Sequence, residues 1–163
     1  MDSRAAIRQS MEIADMVANS YLSDLDDADL LVRPVEGANH AAWQLGHLIS
    51  SENQLINSLR PGSMPDLPEG FSDKHNKETA KVDDPAQFLK KDEYLQLLAQ
   101  QREATIKVLE QMSDENFEEP SPEMFREHFP TVGHIMALQA IHTTMHAGQW
   151  TVLRRKLGKP VLF

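Results

Sequence analysis

Two histidines four residues apart, His142 and His146, stand in the run Ile141-His142-Thr143-Thr144-Met145-His146-Ala147-Gly148-Gln149-Trp150. On an α-helix that spacing separates them by about 40° around the axis and about 6 Å along it, so both imidazoles can reach one ion. A helical wheel places both, with Gln149, inside an arc covered by Ile135, Leu138, Met145, Val152, Leu153 and Leu157. A buried imidazole needs hydrogen bonds or a metal. One shared ion satisfies both rings at once, but so does a facing carboxylate or carbonyl for each ring. A third ligand decides between the two readings.

His47, in Trp43-Gln44-Leu45-Gly46-His47-Leu48, is the leading candidate for that ligand. The wheel sets it nearly opposite the Leu45/Ile49/Ile56 stripe, on a face shared with Trp43, Ser50, Gln54 and Ser58. That face reads either as solvated or as a polar pocket against the last helix, and a tryptophan there is an awkward choice for open water. Gln149 follows His146 by three residues, a spacing that suits a donor to a metal-bound water, a partner orienting an imidazole, or a plain packing amide. Glu52 falls on the apolar side of its helix and needs an Arg or His partner, as a structural ion pair first and a general base second.

The remaining histidines carry no functional assignment. His134 lies about 12 Å along the helix from His142, too far to share its ion, and reads as a core or capping residue. His40 opens a helix, and His75 and His128 lie in linkers, where solvation or local bonding is the default. Asp24, Asp26, Asp27 and Asp29 do not form a calcium loop, because Asp29 and Val35 stand where an EF-hand starting at Asp24 needs Gly and Glu. The sequence has no Gly-rich phosphate loop and no GxSxG elbow, which argues against NTP hydrolysis and serine-esterase chemistry.

Composition narrows the classes further. With no cysteine, any metal rests on His, Asp or Glu, and disulfides and thiol nucleophiles are excluded; the lack also fits a reducing compartment. A net charge of -9 opposes binding to a phosphate backbone, so nucleic acid is a poor partner. The densest basic cluster, Arg154, Arg155, Lys156 and Lys159, sits where cations complement the carbonyl end of a helix dipole. Residues 1–20 lack a signal-peptide apolar segment, and no stretch reaches the roughly 20 apolar residues that span a bilayer. The expectation is a cytoplasmic protein without a membrane segment, acting on a small molecule.

Four long helices would position these residues. The first runs over about 3–22, with Ile7, Met11, Ala14, Val17, Ala18 and Tyr21 at helical spacing. The second follows an N-cap at Asn39 and stops at Pro61-Gly62. The third opens at Asp84-Pro85-Ala86-Gln87, turns Phe88, Leu95, Leu98 and Leu109 inward, and ends near Met112. The last is capped by Thr131 and runs to about Leu157, before Gly158 and Pro160. No segment alternates like a strand. The linkers, about 23–38, 61–84 and 113–131, exceed the roughly 2–8 residues that join neighbouring helices in a simple bundle, so some must cross over it. The middle linker, with Pro61, Gly62, Pro65, Pro68 and Gly70, suits an irregular loop or a lid. Ser23-Asp24 and Ser113-Asp114 each precede a histidine-bearing helix, which hints at a repeated helix pair or merely at two caps. The whole of 1–163 reads as one helical-bundle domain.

Two segments resemble the DinB/YfiT-like family. The stretch from Leu25 to Ile56, with LSDLDDADLLVRP and then NHAAWQLGHL and Glu52, is similar to the first half of such proteins. The C-terminal HTTMHAGQWTVLRRKLGKP is similar to the second half, whose pattern is H-x-x-x-H-R-G-Q followed by Leu-Arg and Gly-x-Pro. The resemblance implies an all-α four-helix bundle with long crossover connections. It also implies one divalent ion, zinc or nickel, on His47, His142 and His146, and a homodimer. Ala147 stands where Arg is common, which leaves the three histidines intact but takes away that arginine's role. Thiol-dependent transferases and an isomerase occur among relatives, so a low-molecular-weight thiol is an expected cosubstrate. Three neutral imidazoles leave a fourth position for water, substrate or a thiolate. The expected activity is metal-dependent transfer first and hydrolysis second. The alternatives are a non-catalytic, stress-related bundle that binds a metal or ligand, and a metal-free structural bundle.

Overall fold

Asp2 accepts a hydrogen bond from the Ala5 amide at 2.8 Å and starts α1, Ser3–Leu22, as the spacing of its buried Met11, Ala14, Ala18 and Tyr21 predicts. The computed structural model describes residues 2–162. It continues with α2, Ala41–Leu59; α3, Lys91–Glu110; a short α4, Asp114–Glu118; and α5, Val132–Lys156. Among the described residues there is no β-strand, only one isolated bridge between Pro120 and Thr131, and no helix is long and apolar enough to cross a membrane.

α1 packs chiefly on α5, α5 also on α2, and α2 on α3, while α1 and α3 touch lightly. The order around the bundle is therefore α1, α5, α2, α3, so the links from α1 to α2 and from α3 to α5 run diagonally. This is the crossover arrangement that the linker lengths require. Residues 60–90 join two neighbours, yet are long enough to fold as three single turns of 3-10 helix over the outside of α2.

Several boundaries and faces differ from expectation. The cap of α2 is His40, one residue after Asn39: its Nδ1 accepts from the Trp43 amide at 3.1 Å, and its Nε2 donates to the Val82 carbonyl at 3.1 Å. Asp84 does cap a turn, but only Pro85–Gln87; the chain then extends through Phe88, and α3 begins at Lys91. The delayed start has a tertiary cause. The Lys91 amide donates to Asp27 at 2.8 Å, its ammonium reaches the carbonyls of Leu22 and Leu25 at 3.1 and 2.5 Å, and Glu93 caps the Lys90 amide at 2.9 Å. Phe88 and Leu95 are only partly buried against the core, whereas Leu98 and Leu109 lie within it.

On α5 the buried face runs through Ile135, Met136, Gln139, Thr143, His146, Ala147, Trp150 and Leu153, while Met145 and Val152, assigned inward by the wheel, are 53% and 40% exposed. The helix has apolar residues on both sides, so periodicity alone picks the wrong edge of the stripe. Arg154 likewise does more than complement the helix dipole. It is buried and donates to the Tyr21 carbonyl at 2.7 Å, to the Pro160 carbonyl at 2.8 Å and to Asp24, which ties the end of α5 to the end of α1.

The core divides into two apolar clusters, one around Leu22, Leu45, Tyr94 and Trp150, the other around Met11, Ile56, Leu109 and Ile135. Between them lies a polar layer with one contributor per long helix: Asp15, Glu52, Arg102 and Thr143. The Arg102 guanidinium is 3.2 Å from Asp15 and 3.3 Å from Glu52, and donates to Thr143 Oγ1 at 3.0 Å. Glu52 is thus the buried ion-pair partner that its place on the apolar side called for.

Candidate metal centre

His47 projects from α2 toward α5, where it meets both histidines of the i, i+4 pair. Ring centroids are 5.0 Å apart for His47 and His142, 5.7 Å for His47 and His146, and 4.9 Å for His142 and His146. The Nε2 atoms of His142 and His146 face each other at 3.2 Å. One ligating nitrogen from each of the three rings lies within 4.8 Å of the others.

The wheel set His47 opposite the core stripe of α2 because it assumed a helix with one wet side. In fact α2 is covered by α3, by α5 and by the 60–90 linker, so nearly all of its first two turns are buried. Trp43, one turn before His47, stacks on the imidazole at 5.0 Å with only 10° between the planes. Its indole Nε1 donates to the Asn76 carbonyl at 3.1 Å. Those contacts fix the orientation of the His47 ring and explain a tryptophan on a face otherwise lined by Ser and Gln.

Two glutamines hold α2 and α5 in register at this level. Gln44 donates to the Gln149 side-chain oxygen at 2.6 Å and accepts from Trp150 Nε1, also at 2.6 Å. Gln149 thus bridges the two helices one turn after His146, its oxygen engaged by Gln44.

Burial pushes all three imidazoles toward the neutral form. His142 falls to about 4, through desolvation and then the nearby His47. His146 also falls to about 4, through desolvation and then His142 and His47, and His47 is lowered by desolvation and by Lys77. His146 Nδ1 is buried without a hydrogen-bond partner. Neutral rings with converging lone pairs form a donor set suited to a borderline divalent ion such as zinc or nickel, and two imidazole nitrogens 3.2 Å apart can satisfy each other only singly. The residues fit a metal.

His40, described above, and His134 and His75 make structural contacts. His134 Nδ1 pairs with Thr131 Oγ1 at 2.9 Å at the start of α5, as a capping residue. His75, assigned by default to a solvated or locally bonded linker, is 2% exposed: its Nδ1 donates to the Phe71 carbonyl and its Nε2 accepts from the Tyr94 hydroxyl, each at 2.7 Å. Its ring lies where a Cβ on Gly46 would be, 2.0 Å from the nearest ring atom, so the glycine before His47 makes room for it.

A cavity of about 460 Å³ opens at His47 and His142, walled by Leu55, Phe125, Phe129 and Lys77. Sequence reasoning missed these residues. Phe125, Phe129 and Lys77 come from the two linkers, where no periodicity marks an inward face.

An all-helical bundle with crossover links and three histidines gathered between α2 and α5 defines a class before it defines a protein. A profile of the DinB superfamily matches residues 11–150, and the chain belongs to that superfamily. Among solved structures, a conserved protein from Enterococcus faecalis superposes with a TM-score of 0.69 at 17% identity, covering 98% of this chain and 99% of that one. YfiT from Bacillus subtilis, described as a probable metal-dependent hydrolase with an unusual four-helix bundle topology, superposes at 0.64 with 18% identity, covering 96% of this chain and 89% of YfiT. No curated protein matches the sequence.

Proposed function

We propose that His47, His142 and His146 hold one divalent ion, zinc or nickel, and that the protein is a metal-dependent enzyme acting on a small molecule in the adjoining cavity. The observation that carries this reading is the convergence of three ligating nitrogens within 4.8 Å, from two helices, on rings that burial keeps neutral. When bound, such an ion supplies Lewis acidity and makes a weak acid such as water or a thiol more acidic. The chain's own part is positional. Trp43 holds the His47 ring by stacking, the Gln44–Gln149 pair keeps α2 and α5 at a fixed spacing, and Phe125 and Phe129 keep bulk water from one side of the cavity.

Hydrolysis is supported by the description of YfiT, and transfer to a low-molecular-weight thiol by the resemblance of the two histidine segments to a family that includes thiol-dependent transferases. A homodimer of this single 1–163 domain, in the cytoplasm, completes the reading. Ile13 and Met16 on α1 and Ile141 and Met145 on α5 are all more than half exposed, which supports an apolar contact between copies.

Protein purified without a nickel column, then offered zinc or nickel and dialysed, is expected to carry one ion per chain by elemental analysis. His47→Ala, His142→Ala and His146→Ala should each abolish it; less than a tenth of an ion per chain in the wild type sinks the metal reading. Holo protein assayed with ester or amide substrates, and with thiols plus electrophiles, separates the two chemistries, and turnover that survives removal of the ion defeats both.

A further inference from the structure

We propose that the cavity beside His47 and His142 selects a small amphipathic anion, with Lys77 pairing the anionic end and Phe125 and Phe129 packing against an apolar body. This rests on the reading above only in taking that cavity as the place of the substrate.

The first support is the charge of the lining. The chain carries a net -9, yet no carboxylate lines this cavity, and Lys77 is its one charged wall. Lys77 has no ion-pair partner among the described residues, and it lines the cavity together with His47 and His142. An adjoining hollow that shares His47, Ser51, Gln54 and Lys77 is also lined by Asp73, so an anion is better served in the first.

The second support is that the backbone carrying the exposed Lys77 side chain is fixed. Asn76, its neighbour, accepts from the amides of Glu78 and Thr79 at 2.8 and 3.2 Å and so fixes the turn that bears Lys77. The Asn76 carbonyl in turn takes the indole hydrogen bond of Trp43, which stacks on His47. A continuous line of contacts thus ties the backbone at the cation to the imidazole it stands beside. His75, buried against Tyr94 two residues earlier, pins the same segment from beneath.

The third support is the aromatic part of the lining. Phe125 closes a tight turn, its carbonyl accepting from the Phe129 amide at 2.9 Å, and both half-buried rings face the cavity together with Leu55 and Leu138. A volume of about 460 Å³ is within the range of metabolite-sized pockets. A lone cation and two aromatic side chains in one lining match a carboxylate or phosphate joined to an aromatic or branched aliphatic group.

The test compares three probes, 3-phenylpropionate, 3-phenylpropan-1-ol and propionate, by calorimetry or ligand-observed NMR at low salt, on protein of measured metal content and on the same protein stripped of metal. The expected result is that phenylpropionate binds about fivefold more tightly than the alcohol even without metal, the size of effect an exposed charge pair can give, and that the preference shrinks as salt rises. Lys77→Gln should bring that ratio to about one with metal content unchanged. Phe129→Ala should weaken both phenyl compounds and leave propionate unaffected. An equal affinity for acid and alcohol, or a ratio that Lys77→Gln leaves intact in both forms, overturns the proposal. A preference present only with metal and insensitive to Lys77→Gln assigns the anion to the ion alone, and also overturns it. If no ion binds at all, the metal reading falls, while the ratio in the metal-free protein still decides this one.

Discussion

Three imidazoles brought together away from water gain by staying neutral, and the cost of protonating them is a measurable property of the folded state. His142 and His146 are lowered to about 4, and His47 is lowered in the same direction. In the unfolded chain the same rings titrate near 6.5. Between about 6.5 and about 4 the unfolded state therefore binds more protons than the folded state, and stability rises with pH across that window. The metal-free protein should show a flat Tm above about pH 7 and a falling one as the pH drops through 6 toward 4. Buried His40 and His75 are shifted in the same direction and add to the slope, whereas Asp15 and Glu52, pushed up by burial, work against it. A double variant, His142→Ala with His146→Ala, cancels those common contributions. Its Tm against pH should be shallower than that of wild type, and superimposable slopes would mean that the two rings are not held out of water.

At the scale of elements, the site depends on a linker being seated on α2. Gly46 leaves the space that the His75 ring occupies, and His75 in turn receives the Tyr94 hydroxyl hydrogen bond from α3. Gly46→Ala should expel that ring, cost about 1–3 kcal/mol by overpacking, and open the 60–90 segment to limited proteolysis at a rate well above that of wild type. Unchanged cleavage together with unchanged Tm would show that the segment is held elsewhere. The same linker explains what could be read from the sequence and what could not. Helix existence was legible, because caps and apolar spacing are local: α1 and α5 fall within a residue or so of where Ser3, Thr131 and Gly158 put them. The start of α3 was not, because Asp84-Pro85 is a good local cap that loses to contacts made by Lys91 with α1 and with Asp27. The i, i+4 pair of the site was legible for the same local reason. The placement of His47 needed the resemblance, since a wheel assumes one wet face and the linker covers that face of α2. Lys77, Phe125 and Phe129 had no periodic signal to give.

For the molecule as a whole, the two apolar clusters are joined through a layer in which one cation serves three other helices. Arg102 of α3 is buried between Asp15 of α1 and Glu52 of α2 and bonds Thr143 of α5, the residue after His142. Its Nη1 faces Glu52 Oε1 at 3.3 Å without an aligned hydrogen bond, so the pair gains from charge more than from direction. Removing one partner of a buried pair strands the other in a medium that solvates it poorly, at about 3–5 kcal/mol, whereas replacing both by groups of similar shape is often neutral or better. Arg102→Met alone should therefore lower the unfolding free energy by that amount. Arg102→Met combined with Glu52→Gln should recover part of it, since Asp15, itself pushed up by burial, still loses its partner. Denaturant melts of the two single variants and the double complete the cycle, and metal binding by the double variant reads the site separately. Glu52 stands in this layer as a structural partner and lines neither hollow at the histidines, so the double variant should bind its ion as wild type does. If it regains stability but loses the ion, the layer sets the approach of α2 to α5; if stability is not regained, the four-helix polar layer holds the fold by more than the pairing of two charges.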